Sequence, residues 1–158
     1  MMELFAWLES SALSTWVSEA DTVWAYPTVL TLHTLGLGVL VGASAVVDLR
    51  LLGIAHRIPL GPMRSLFRFM WIGFWINAVT GSMLFAADAI TLSTSALFMV
   101  KLAFVAVGVG TVVLIERHVY GARADPVVVS STARRLAIAS LVVWMAAIMA
   151  GRLLAYIK

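Results

Sequence analysis

No charged side chain occurs between Thr22 and Val47, and none between Phe69 and Ala87. The stretch from Ala89 to Ile115 is broken only by Lys101, and that from Leu136 to Ile157 only by Arg152. About 20 apolar residues in a helix cross a hydrocarbon core of about 30 Å, so each stretch can span a bilayer. The apolarity is continuous rather than alternating at every second residue, which argues against membrane strands. A chain that is 62% hydrophobic and 12% charged also lacks the polar surface of a soluble fold, where about 25% of residues are charged. The sequence therefore predicts an all-α integral membrane four-helix bundle. It forms a single domain over 1–158, with spans at about 24–50, 64–88, 95–118 and 133–157.

Local signals support these boundaries. Pro27 suits the first turn of the first span, and Gly53 lies just past its end. Pro59, Gly61 and Pro62 make a tight connection. Ser93, Thr94 or Ser95 can cap the third span, and Ser131 or Thr132 the fourth. Small residues at intervals of four mark close helix approach: Gly73, Asn77 and Gly81 on the second span, Gly38 and Gly42 on the first, and Ala147, Gly151 and Ala155 on the fourth.

Charge sets the orientation. One side of the membrane receives Arg50, Arg57, Arg64, Arg68, Arg117, Arg123, Arg134 and Arg135 against only Asp48, Glu116 and Asp125. The other receives Glu3, Glu9, Glu19, Asp21 and Asp88 against Lys101, Arg152 and Lys158. The positive side is cytoplasmic, which leaves both termini outside a bacterial inner membrane. The basic residues thus report topology, and no nucleic-acid partner is expected. Residues 2–19 place Leu4, Phe5, Leu8, Ala12, Trp16 and Val17 at helical spacing among acidic and serine residues. This reads as one amphipathic helix on the outer membrane surface, anchored by Trp7 and Trp16.

Ionisable and polar residues inside the spans are functional candidates, because burying them in lipid is costly. His33 lies about 18 Å below Asp21, near mid-membrane, with Tyr26, Gly36 and Leu40 on its face. It either bridges helices, with Asn77 as the natural partner, or ligates a cofactor. Lys101 and Arg152 both lie about 9–10 Å below the outer surface, where they either snorkel or clamp an anion. Met145 and Met149 share a face with Arg152. Gly108, on the face of Lys101, leaves room for a flat group. A haem held edge-on has propionates about 8 Å from its iron, which matches the depth difference between His33 and the two cations. His33 is then an axial ligand, and Met149 or Met145 is the second. No second histidine lies at this depth, since His56 and His118 belong to the cytoplasmic side. A metal site from His56, His118 and Glu116 has no recognised ligand spacing. Cysteine is absent, which excludes disulfides, thiolate metal sites and c-type haem attachment.

The segment from Trp24 to Gly42, the run Lys101-Leu-Ala-Phe, His118 and the close Gly151-Arg152-Leu-Leu-Ala-Tyr resemble an uncharacterised family of small bacterial four-helix membrane proteins. That family is distantly similar to the copper-resistance D type and the bacterial membrane protoporphyrinogen oxidase type. In the oxidase type a first-span histidine and a third-span lysine serve haem or porphyrin binding. The resemblance places those roles on His33 and Lys101. It implies a bundle of the b-type cytochrome kind, without implying the oxidase activity.

The leading expectation is a haem b-binding electron-transfer or redox-sensing protein that uses a redox partner. His33, Met149, Met145, Lys101, Arg152, Asn77 and Tyr26 are the cofactor-binding residues, and His33 is the metal ligand. One alternative is a non-catalytic accessory or scaffold subunit of a larger membrane complex; the partners expected are the lipid bilayer, a redox partner or other membrane subunits, and a second copy of the chain in a homo-oligomer. A small metal-handling protein is the third reading, because thioethers suit Cu(I), although the methionines are scattered singly. Paired carboxylates, a nucleophile–base pair and a phosphate loop are all missing, which argues against hydrolytic chemistry.

Overall fold

A computed structural model describes residues 2–54, 56–121 and 129–156. Among them the chain is helical, without strands: α1 (Met2–Glu9), α2 (Ala12–Glu19), α3 (Tyr26–Leu51), α4 (Leu60–Ala86), α5 (Ala89–Thr94), α6 (Ala96–Tyr120) and α7 (Ser131–Leu154). Helices α3, α4, α6 and α7 are the four long enough and apolar enough to cross a membrane, and the protein is an integral membrane protein on that basis. Arg123, Asp125 and Lys158, which the charge balance uses, lie outside the described residues, as does Ile157 at the end of the expected fourth span.

The span boundaries follow from local chemistry. Pro27 sits in the first turn of α3, where its missing N–H would have had no helical partner. Past the other end of α3, Gly53 adopts φ 93, a left-handed conformation that glycine takes without a Cβ clash. Ser95 caps α6, its Oγ accepting the Phe98 N–H at 3.3 Å. The cap of α7 is Ser130, one residue before the expected Ser131 or Thr132; its Oγ accepts from the Ala133 N–H at 3.1 Å.

The spans form two hairpins. Helix α3 packs mainly on α4 and α6 mainly on α7; α3 also meets α7, whereas α4 and α6 stand further apart and meet chiefly through long side chains. The buried apolar cluster runs from Leu40, Trp144 and Ala147 to Leu51, Leu60, Phe67, Val119 and Ala133, towards the arginine-rich connections. There Tyr120 donates its hydroxyl to the Leu60 carbonyl at 2.9 Å and packs edge-on against Phe67.

The close approach of α3 and α4 is made by Gly36 and Gly73. A Cβ at Gly73 would lie 2.7 Å from the Gly36 carbonyl oxygen and 2.8 Å from the Leu40 nitrogen. Gly38 and Gly42, expected to serve this purpose, have nothing within 4 Å of where a Cβ would stand. The correction has a simple cause. Both small-residue registers exist on α3, and only the position of α4 decides which one is used.

The N-terminal region also differs from expectation. It is not one helix over residues 2–19 but two, broken at Ser10 and Ser11, where Ser11 caps α2 by accepting from the Ser14 N–H. The pair is docked on the bundle end. Ser14 Oγ donates to the Ala86 carbonyl at 2.9 Å, and Glu9 accepts the Ile90 N–H at 2.9 Å. Phe5 meets Phe85 edge-on, and Phe85 stacks on Phe98. Trp7 and Trp16 remain exposed, as interfacial anchors would. Replacing both Glu9 and Ser14 by alanine removes two partly buried hydrogen bonds, worth about 1 kcal/mol each. Limited proteolysis in detergent is expected to cut this variant faster within residues 2–20 at an unchanged bundle melting temperature. Equal cleavage of the two proteins would show that these bonds do not hold the helices down.

Candidate functional site

His33 and Asn77 meet, as their positions suggested, through a reciprocal clasp. Asn77 Nδ2 donates to the His33 carbonyl oxygen at 2.8 Å. His33 Nδ1 lies 3.1 Å from the Asn77 carbonyl oxygen and 3.1 Å from Thr80 Oγ1. The Thr80 hydroxyl has its hydrogen committed to the Ile76 carbonyl at 2.6 Å, so it faces His33 as an acceptor. With two acceptors around it, Nδ1 must carry the ring proton and donate. Nε2 has no hydrogen-bond partner among the described residues. In neutral imidazole it therefore holds a free lone pair. The ring lies against Gly81, where a Cβ would stand 3.0 Å from Cε1, so this glycine gives the imidazole its room.

Lys101 is half-buried. Its side chain crosses Gly151 of α7, with Cε 3.4 Å and Nζ 3.7 Å from where a Cβ would be. Arg152 is exposed and stacks on Tyr156, its guanidinium carbon 5.7 Å from the ring centroid. The pair thus occupies one level of the bundle with its two cations differently engaged, one inward over a glycine and one outward on an aromatic ring.

The remaining candidates are not gathered around His33. Met145 and Met149 are 61% and 59% exposed, on the side of α7 opposite its buried Ser140, Trp144 and Ala147. Tyr26, the first residue of α3, is exposed. The space at Gly108 is filled by the protein itself: a Cβ there would lie 2.9 Å from Trp144 Cε2 and Cζ2. The crevice between the hairpins, lined by Leu40, Met70, Trp71, Phe74, Val109 and Val112, is apolar and leaves no room for a water. His56 is exposed, and His118 bonds to the Leu114 carbonyl of its own helix. No group of three or more His, Cys, Asp or Glu residues suited to a metal ion occurs among the described residues.

One polar centre went unnoticed in the sequence. Asp48, Ser44 and Ser140 are buried together where α3 meets α7. The signal was available: Ser44 and Asp48 are four apart on one helix, so they share a face. No family model, curated protein or solved structure matches this chain.

Proposed function

We propose that this protein is a bacterial inner-membrane protein, termini outside, that binds one haem b through His33 and serves electron transfer or redox sensing. The observation that carries the reading is the state of the imidazole. Metal-bound histidines commonly give their other ring N–H to a backbone carbonyl, which fixes the tautomer and aims the free nitrogen at the metal. His33 has that arrangement, with Nδ1 committed to Asn77 and Thr80 and Nε2 free. Asn77 and Thr80 act as positioning residues, and Lys101 supplies a half-buried cation for a propionate. The donor set fits one protein ligand rather than two, since Met145 and Met149 point away from the bundle. When bound, the haem supplies the one-electron change, and this chain's part is to hold and orient it.

The test is a reduced-minus-oxidised spectrum of protein purified in detergent after expression with ample haem. A Soret band is expected, lost in His33→Ala and shifted or weakened in Thr80→Val, which removes one of the two acceptors around Nδ1. Absence of the band, or its persistence unchanged in a folded His33→Ala variant, would refute haem ligation by His33. The accessory-subunit reading draws on the wide spacing of α4 and α6 and on the exposed Trp75 and Val79 of α4. Stoichiometric co-purification with another membrane protein, without chromophore, would replace the first reading by this one.

A further inference from the structure

Asp48 is 1% exposed, Ser44 2% and Ser140 0%, at the contact of α3 and α7. Ser44 Oγ lies 3.4 Å from Asp48 Oδ2 and 3.3 Å from Ser140 Oγ. Ser44 donates to Asp48 Oδ2, and the Ser140 hydroxyl lies against both Ser44 and the Asp48 carboxyl group, so both hydroxyls serve the carboxyl. Asp48 Oδ1 is buried and has no hydrogen-bond partner among the described residues.

A carboxylate in such a place needs a counter-charge, because desolvating an ion costs several kcal/mol unless it is paired. The described residues supply none. Arg50, the nearest cation in sequence, is turned to the Ile58 carbonyl in the following loop. On α4 the cations nearest this level, Arg64 and Arg68, are exposed, and so are Arg134 and Arg135 on α7 and Arg117 and His118 on α6. Glu116 is on α6 at the same end, and Tyr120 uses its hydroxyl on Leu60. Among the described residues Asp48 has hydroxyl partners only. Both helices run unbroken through this level, so their backbone carbonyls are taken up in helical bonds.

We propose that Asp48, with Ser44 and Ser140, is a binding site for a small monovalent cation, a proton or Na⁺, within the membrane domain. The cation occupies the side of the carboxyl group that the chain leaves unpartnered, and the two hydroxyls polarise the other oxygen. The site is separate from His33, which lies about four turns earlier on α3.

The test is modification of the intact protein in detergent by dicyclohexylcarbodiimide, an apolar reagent that reacts with carboxylic acids in apolar surroundings, with the adduct located by mass spectrometry. A proton site is expected to give an Asp48 adduct that decreases as pH rises and is indifferent to NaCl. A sodium site is expected to give an adduct that NaCl suppresses and KCl does not. Asp48→Asn keeps the shape and brings its own N–H donor, so it is expected to fold with a melting temperature at or above that of the parent and to lose this adduct. Ser140→Ala, a milder change, is expected to alter the pH or NaCl dependence of labelling. No adduct at Asp48 at any pH with the protein folded, or an adduct indifferent to both pH and NaCl, would overturn the proposal.

Discussion

Alanine in place of Gly73 is expected to destabilise the α3–α4 hairpin by about 2–3 kcal/mol, at the upper end of what overpacking usually costs. The added methyl would stand 2.7 Å from one backbone atom and 2.8 Å from another, Gly36 O and Leu40 N. No side-chain rotation relieves a clash with backbone, so the helices must separate. Separation weakens the His33–Asn77 clasp, since its hydrogen bonds run between these same helices. Gly38→Ala is the matched control. Nothing lies within 4 Å of its Cβ position, and alanine in a helix gains about 0.5–1 kcal/mol over glycine. Unfolding in mixed detergent micelles distinguishes the two. Equal effects at both positions would contradict the assigned crossing point.

Trp144→Ala is expected to cost about 3 kcal/mol, the low end of the range for removing a large core aromatic. The lower figure applies because separated helices in lipid still solvate apolar side chains, leaving lost packing as the main term. The indole is 2% exposed and lies on Gly108, where it joins α7 to α6. Trp144→Phe keeps a ring against the glycine and removes a buried Nε1–H that has no acceptor among the described residues. Relief of that unsatisfied donor, worth about 1–3 kcal/mol, offsets much of the lost area. Phenylalanine is therefore expected to lie near the parent in stability and alanine far below it. Trp75→Ala, on the exposed side of α4, serves as the reference. A Trp144→Ala variant no less stable than Trp75→Ala would disprove the packing role.

The helices were legible in the sequence because lipid imposes a simple demand: an uninterrupted apolar stretch of fixed minimum length. Which face of each helix turns inward was not legible. In a soluble bundle a polar face marks the outside. Here Met145 on the exposed side of α7 and Trp144 on its buried side are both apolar, so composition cannot separate them. The same ambiguity hid the choice of Gly36 over Gly38 and the filling of Gly108 by Trp144. Polar residues escaped it, because an amide and an imidazole at one depth have reason to meet, and His33 and Asn77 do. Asp48 is inconspicuous in the sequence for another reason. Two residues from Arg50 and close to the span end, it resembles an ordinary boundary charge. Only the docking of α7 shows it sealed beneath Ser44 and Ser140. The break at Ser10 and Ser11 was hidden by apolar spacing that runs through both short helices, although the adjacent serines marked it.

The unequal packing of the four spans gives the bundle the mechanics of a book. Helices α3 and α7 form the spine, and the hairpins are its covers; at the outer edges α4 and α6 meet through side chains, Tyr120 on Leu60 and Phe67 at one end and Phe98 on Phe85 at the other. A swing of one cover about that spine would part those edge contacts and leave in place the α3–α7 seam, on which the Ser44–Ser140 pair lies. A change in charge at Asp48 would therefore act on the seam that the two hairpins share, rather than on either hairpin alone.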